Sequence, residues 1–255
     1  MTLPQNRNSI LALIPARCGS KSIPRKNLLR LAGNPLIAYS IKQALASRHI
    51  TRTIVSTDDP EIAEVARQYG AEVPFLRPAE FAQDLSPDLD VFHHALSWLR
   101  DQEGYTCDLV VHLRPTGPLR RVELIDQAIE LMLKHPEADS LRSVRSASQT
   151  PYKMWRIESG YLRSLLSVEG VPEPHSMPRQ KLPKVYWQNG YVDIVRPRTV
   201  LELNRMAGNR ILPFVVEEPI LELDYPEDVK EVESALIALR EGRPLGAAVP
   251  SRDAV

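Results

Sequence analysis

Apolar positions in the first half of the chain switch between two periods. Ile10-Leu11-Ala12-Leu13-Ile14 is a continuous apolar run, the pattern of a strand buried on both faces, and Thr53-Ile54-Val55 and Leu109-Val110-Val111 repeat it. Between these runs apolar residues fall at helical spacing: Ile37, Ile41, Ala44 and Leu45; Ile62, Val65, Ala66 and Tyr69; Phe92, Ala95, Leu96 and Leu99; Leu124, Ile125, Ala128, Ile129 and Met132. Start and stop signals frame the stripes. Asn34-Pro35 predicts an N-cap and a first-turn proline, Asp59-Pro60 caps the second helix with Asp58 a second candidate cap, Gly70 closes it, and Ser86-Pro87 starts the third. Strands separated by helices of this size predict an α/β fold with right-handed crossovers and a mostly parallel sheet. Ligands bind such sheets outside the carboxyl ends of the strands, here the loops that begin at Pro15, Ser56 and Arg114.

After about Ser140 the pattern changes. Prolines recur, aromatics gather (Tyr152, Trp155, Tyr161, Tyr186, Trp187, Tyr191), and short alternating stretches predict a β-rich arm inserted at about 146–192. In that alternation Trp187 and Tyr191 share one face and Tyr186 takes the other, as arm packing or a subunit contact. Strand character returns at 192–195 and 211–216, and a last helix is expected at 226–240, with Val229, Val232, Leu236 and Leu239 inward. Residues 1–240 thus read as a single domain, and 241–255, with small residues, Gly and Pro, as a flexible tail.

The 255 residues are enough for one large α/β domain. Lys plus Arg and Asp plus Glu balance at 32 each, which argues against a nucleic-acid or membrane partner. The apolar runs are strand-sized and too short to span a bilayer, and residues 1–9 carry no signal-peptide pattern. With only Cys18 and Cys107, no disulfide framework is possible, and a cytoplasmic location is expected.

The first loop concentrates charge. Arg17, Lys21, Arg25 and Lys26 flank Gly19-Ser20, whose backbone N–H groups can approach an anion closely. A triphosphate needs such a cradle; a solvated basic loop is the plainer alternative. Neither a Walker loop nor a dinucleotide G-x-G-x-x-G is present, which weakens ATPase and dehydrogenase readings. The six histidines suggest no metal cluster, with His93 and His94 in a helix and His112 in a strand. Basic neighbours would lower the thiol pKa of Cys18, although no base-orienting group accompanies it.

Ile14-Pro15-Ala16-Arg17-Cys18-Gly19-Ser20-Lys21 with Pro24-Arg25-Lys26-Asn27 resembles the signature of acylneuraminate cytidylyltransferases, the CMP-sialic acid synthetases. Further similar blocks follow in order: Ile54-Val55-Ser56-Thr57-Asp58, Leu76-Arg77-Pro78-Ala79-Glu80-Phe81, Arg114-Pro115-Thr116-Gly117-Pro118-Leu119-Arg120, Pro178-Arg179-Gln180, Gln188-Asn189-Gly190 and Leu221-Glu222-Leu223-Asp224. The resemblance spans about 10–240. It implies a Rossmann-like three-layer α/β/α core with a mixed, mostly parallel sheet, and a homodimer with a protruding dimerisation arm. It also implies Mg²⁺-assisted attack of a sugar's anomeric hydroxyl on the α-phosphate of CTP. By that resemblance Arg17 and Lys21, with Gly19 and Ser20, hold the triphosphate, and Lys26 and Asn27 serve the nucleotide. Arg77 lies beside the base, Arg179, Gln188 and Asn189 lie near the sugar acid, and Asp224 supplies the metal carboxylate.

Physical chemistry agrees with that assignment and leaves alternatives. Nucleotidyl transfer needs positioning and charge neutralisation, and Mg²⁺ takes one or two carboxylates plus phosphate oxygens and water. Glu222 and Asp224, two apart on an expected strand, would share one face. Asp224 with Glu227 also has capping-box spacing for the last helix. Glu222 departs from the family's usual aspartate, which weakens its metal role. Arg114 stands where the family often has Gln near the sugar, so the pocket is expected to suit a related nonulosonic acid, legionaminic or pseudaminic. A guanidinium there can pair a carboxylate bidentately or contact a phosphate. Asp88 can accept from cytosine N4, or from the N1 and N2 edge of guanine, or simply complement a helix N-terminus. The competing functions are therefore a nucleotidyltransferase using GTP or another sugar, a glycosyltransferase, and a non-catalytic nucleotide-sugar-binding protein.

Overall fold

In the computed structural model the first strand, β1 (Ile10–Pro15), sets the layers: Ile10, Ala12 and Ile14 face one hydrophobic cluster and Leu11 and Leu13 another, all five at most 1% exposed. The structure describes residues 8–218 and 220–243; the polar N-terminus to residue 7 and the expected tail from 244 on lie outside them. After β1 come a short hairpin, β2 (Arg30–Leu31) and β3 (Asn34–Pro35), then α1 (Leu36–Ala46), β4 (Arg52–Ser56), α2 (Pro60–Gln68), α3 (Asp88–Glu103), β5 (Leu109–His112) and α4 (Val122–Lys134). The second half comprises β6 (Ser140–Ser146), the hairpin β7 (Trp155–Glu158) and β8 (Tyr161–Ser164), β9 (Tyr186–Val195), α5 (Pro197–Leu201), β10 (Ile211–Val215) and α6 (Asp228–Arg240).

The central sheet has six strands in the order β10-β6-β9-β5-β1-β4, and β9 alone is antiparallel to its neighbours. The stripes of α1, α2 and α4 cover one face, and Phe92, Ala95, Leu96 and Leu99 of α3 with Val200 of α5 cover the other. This is the expected three-layer α/β/α core with a mixed, mostly parallel sheet. Each fully buried Leu or Ile contributes about 1.5–3 kcal/mol, so the two faces hold the sheet far more firmly than any surface pair. A third cluster packs α6, through Val232, Ala235 and Leu236, against Leu31, Leu36, Leu119 and Leu223. No helix among the described residues is long and apolar enough to cross a membrane.

Several local expectations are corrected. Asn34-Pro35 is a strand of the hairpin; α1 begins one residue later, and the Asn34 side chain accepts from Lys42 Nζ at 2.7 Å instead of capping. Ser86 does not cap α3; its hydroxyl donates to the Glu80 carbonyl and accepts from Gln83 N–H. Asp59, as expected, caps α2, accepting from the N–H groups of Glu61 (2.7 Å) and Ile62 (3.3 Å), whereas Asp58 accepts from Cys18 N–H at 2.9 Å. Glu222 and Asp224 lie in an extended segment outside any strand, tied by Leu223 N–H to the Thr116 carbonyl at 2.8 Å. The capping box there is replaced by Asp228, whose carboxylate accepts from Asp224 N–H (2.9 Å) and Tyr225 N–H (2.8 Å) just before α6.

Within the segment expected as an arm, 146–192, the structure places the hairpin β7–β8 outside the central sheet. The β7–β8 hairpin is almost wholly exposed, while from Asn189 onward β9 returns to the core. Tyr191 is therefore no arm residue: it is 3% exposed, and its hydroxyl accepts from Arg121 N–H. Gly190 makes the turn inward. Its φ of 63° lies in the left-handed region, which favours glycine, and a Cβ there would sit 3.1 Å from Glu222 Oε1, so a side chain would be strained and would push Glu222 aside.

Candidate active site

Strand β4 lies on one side of β1 and β5 on the other, so the chain reverses direction across β1, and a crevice opens at the carboxyl ends. A cleft of about 540 Å³ occupies that place, within the range of nucleotide-sized sites. The first loop forms one wall through Arg17, Ser20, Lys21, Ser22, Lys26 and Asn27. Segment 77–91 forms the opposite wall, Pro15 and Arg114–Thr116 the floor, and Asp224 and Tyr225 one end.

The first loop is shaped by its own hydrogen bonds. Asn27, buried, donates its amide to the Arg17 carbonyl at 2.9 Å, so it supports the loop while it lines the cleft. Lys26 Nζ donates to the Leu223 carbonyl at 2.9 Å and approaches Asp224 Oδ1 at 3.4 Å, which fastens the loop to the carboxylate segment. Gly19 lies outside the lining residues, and a Cβ there would meet open space. A hydrogen bond to Asp59, burial, and the charges of Asp59 and Asp58 push the Cys18 thiol up and not down, in keeping with a bystander that has no base-orienting group.

Arg77 is the least satisfied cation. It is 5% exposed, its Nε and one terminal nitrogen have no hydrogen-bond partner, and its nearest carboxylate, Asp58, stands 3.9 Å away. Burial lowers its pKa, against the pull of Asp58. Unmet buried donors on a cleft wall are donors available to a ligand.

Arg114 is held by two carboxylates, Asp193 at 2.8 Å and Asp88 at 3.1 Å. Asp88 is thus half of an ion pair on the first turn of α3, not a free acceptor, although it does line the cleft. Asp193 was missed in the sequence. It is fully buried on β9, also accepts from Gln188 at 3.3 Å, and lies 3.6 Å from Arg142. Its signal was there to see: a lone carboxylate inside the apolar run Val192-Asp193-Ile194-Val195.

The remaining sugar-side residues stand behind or beside the cleft. Arg120, fully buried, donates to the carbonyls of Arg114, Gly117 and Tyr191 and so moulds the floor loop; burial pulls its pKa down to about 10. Asn189 donates to the Val216 carbonyl and accepts from Tyr191 N–H, a structural role. Arg179 spends its guanidinium on the Ala147 and Ser148 carbonyls at the base of the arm. Glu222 packs against Gly190; burial and the charge of Asp224 raise its pKa, opposed by Arg114, Arg120 and Lys26.

Residues 11–165 match the family model described as Cytidylyltransferase. CMP-N,N'-diacetyllegionaminic acid synthase of Legionella pneumophila is 48% identical over 227 residues, covering 86% of this chain and 92% of that protein. Pseudaminic acid cytidylyltransferase of Campylobacter jejuni is 36% identical over 181 residues, covering 71% and 75%. Among solved structures, CMP:2-keto-3-deoxy-manno-octonic acid synthetase complexed with CTP aligns over 91% of this chain and 99% of its own, with a TM-score of 0.68 at 17% identity, a likeness of fold.

Proposed function

The chain belongs to the cytidylyltransferase family, and we propose that it transfers CMP from CTP to the anomeric hydroxyl of a nonulosonic sugar acid, releasing pyrophosphate. The observation that carries this reading is the charge pattern of the cleft: Arg17, Lys21, Lys26 and Arg77 on the walls, Arg114 on the floor and Asp224 at one end. Such a site neutralises a polyphosphate, and Arg114 would meet a sugar carboxylate by exchanging its exposed partner Asp88 for it while Asp193 holds it in place. The sugar favoured is legionaminic acid, from the near-full-length relative at 48% identity. Pairing of Asp88 with Arg114 weakens it equally as a reader of cytosine and of guanine, so the choice of CTP rests on the relatives.

In the reaction the anomeric oxygen attacks the α-phosphorus and gives up its proton to solvent, a P–O bond forms, and the bond from the α-phosphorus to the bridging oxygen breaks, so that oxygen leaves with pyrophosphate. Arg17 and Lys21 neutralise the departing charge, and Arg114 orients the acceptor. The residues fit Mg²⁺. Among the described residues no three His, Cys, Asp or Glu side chains cluster as a ready-made metal cage, but this ion needs only one or two carboxylates besides phosphate and water. Asp224, whose side chain is 50% exposed at the cleft, is the main donor, and Glu222, close enough for Asp224 to raise its pKa, supports it. When bound, the ion supplies positive charge to the phosphates.

We further propose a homodimer formed through the arm, where Trp155, Ile157 and Leu162 lie exposed on one face of β7–β8, and a cytoplasmic location, which suits free Cys18 and Cys107. The deciding experiment follows pyrophosphate release with Mg²⁺, crossing CTP, GTP, UTP and ATP with sialic, legionaminic and pseudaminic acids. Release with CTP and legionaminic acid is expected. Release only with GTP overturns the base, and no release with any pair overturns the enzymatic reading.

A further inference from the structure

Asp84 lies on the two cations assigned to the triphosphate. Its Oδ2 is 2.7 Å from Lys21 Nζ, and its Oδ1 is 3.2 Å from a terminal nitrogen of Arg17. The same Arg17 nitrogen donates to the Gln83 carbonyl at 2.6 Å. These contacts fasten the first loop to the opposite wall of the cleft, across the space where a polyphosphate would enter.

The clasp is built to open. Side-chain exposure is 78% for Lys21, 40% for Asp84 and 32% for Arg17, so water and salt screen both pairs and each is weak. The segment that carries Asp84 is a short turn between a single helical turn, Ala79–Phe81, and α3. It is anchored at its base, where Ser86 bonds Glu80 and Gln83 and the Gln83 amide bonds the Ala79 carbonyl. Its tip is bare: Leu85, next to Asp84, is 94% exposed. A carboxylate presented on such a turn resembles one phosphate oxygen pair in charge and reach, with less charge than a triphosphate or pyrophosphate.

We propose that Asp84 is a built-in competitor for the polyphosphate. It occupies Arg17 and Lys21 in the free enzyme, yields them to the β- and γ-phosphates of CTP, and retakes them as pyrophosphate leaves. The proposal rests on the reading of the cleft as a triphosphate site. A competitor lowers affinity for every ligand that uses those two cations, because its displacement is subtracted from each binding free energy. CTP and pyrophosphate are weakened together, and CMP, which lacks the outer phosphates, is untouched. The gain is turnover: a cradle of bare cations would hold the leaving group, and tight binding of that product slows its release. The opposite role, a brace that orients Arg17 and Lys21 for the substrate, predicts the opposite sign for every one of these effects.

Calorimetry of CTP, CMP and inorganic pyrophosphate on the full chain and on Asp84→Asn separates the two. Asn keeps the shape of the turn and removes the charge. Expected are about two- to tenfold tighter CTP and pyrophosphate in the variant, from two exposed ion pairs, with unchanged CMP and a gap that narrows at high salt. Asp84→Glu, which keeps the charge, is expected to stay near the parent. Weaker or unchanged pyrophosphate binding in Asp84→Asn, with CTP still bound by the parent, overturns the competitor and leaves the cleft reading standing. A parent that binds CMP and CTP equally well, and no pyrophosphate, overturns the triphosphate cradle itself and the competitor with it.

Discussion

Asp193 and Asp224 show how differently two carboxylates act in one site. Asp193 is buried and never meets solvent; it fixes Arg114 and steadies Gln188 and Arg142. Removing one partner of such a buried set costs about 3–5 kcal/mol, because the remaining charges are left uncompensated. Asp193→Ala is therefore expected to lower stability by that order in urea unfolding. The milder Asp193→Asn is expected to raise KM for the sugar acid with little change in KM for CTP; an equal rise for both substrates would place Arg114 elsewhere in the reaction. Asp224 is half-exposed, and its one side-chain pairing, with Lys26 at 3.4 Å, is long. Asp224→Asn is expected to reduce kcat by about 10²–10³ while the fold survives, the scale of losing one electrostatic group in a transition state. Near-normal turnover with Mg²⁺ would remove Asp224 from the metal site. The sequence displayed Asp224 through its motif. Asp193 stood out as a lone carboxylate in an apolar run, but its partner, like that of Asp84, was hidden, because the two partners are 79 and 63 residues away in the chain, distances that only the fold closes.

At the scale of elements, Asp139 fastens the start of β6 to the loop before β10. Its carboxylate accepts from the N–H groups of Asn209 (2.9 Å) and Arg210 (3.0 Å). Those backbone donors, the Arg210 one foremost, hold its pKa below the ordinary carboxylate range. A depressed folded-state pKa gives stability that is complete above the unfolded value, near pH 4, and is lost as pH falls through the folded one. Asp139→Asn is thus expected to destabilise the protein at pH 7 and to flatten its acid limb below about pH 4 in a denaturation series. Stripe and strand periodicity made the core elements legible, since β1, α3 and α4 obey their periods with almost no exceptions. Boundaries were less so. Asn34-Pro35 and Ser86-Pro87 carry helix-start chemistry, yet their side chains found tertiary partners, Lys42 and Glu80, that no local pattern displays. Arg179 and Asn189 sit in recognisable motifs, but their hydrogen bonds go to backbone, so the motif reported their location and not their chemistry.

Across the whole molecule, exposed large apolar residues are mostly scattered, whereas one face of the arm gathers Trp155 at 41%, Ile157 at 77% and Leu162 at 59% exposure. A monomer with such a patch is expected to find a second copy. Analytical ultracentrifugation should give a dimer for the parent and a monomer for Ile157→Lys; a parent that is monomeric at high concentration would refute the arm as a subunit contact. In the sequence the hairpin stood out only through its aromatic content, because two strands without a covering layer carry no buried periodicity.

Strand β9 lies between β5 and β6 and pairs with both, from Val110 and Val111 on one side to Ser140 and Leu141 on the other. A ribosome building this chain has therefore made β6 well before it makes the strand that joins β6 to the rest. Until residue 186 is out, β1, β4 and β5 can assemble with their helices, while β6 has no partner and offers two open edges. The emerging chain is most prone to mispairing in that interval; the late arrival of β9 joins the halves and seats Asp193 behind Arg114, and β10, later still, covers the last edge of β6.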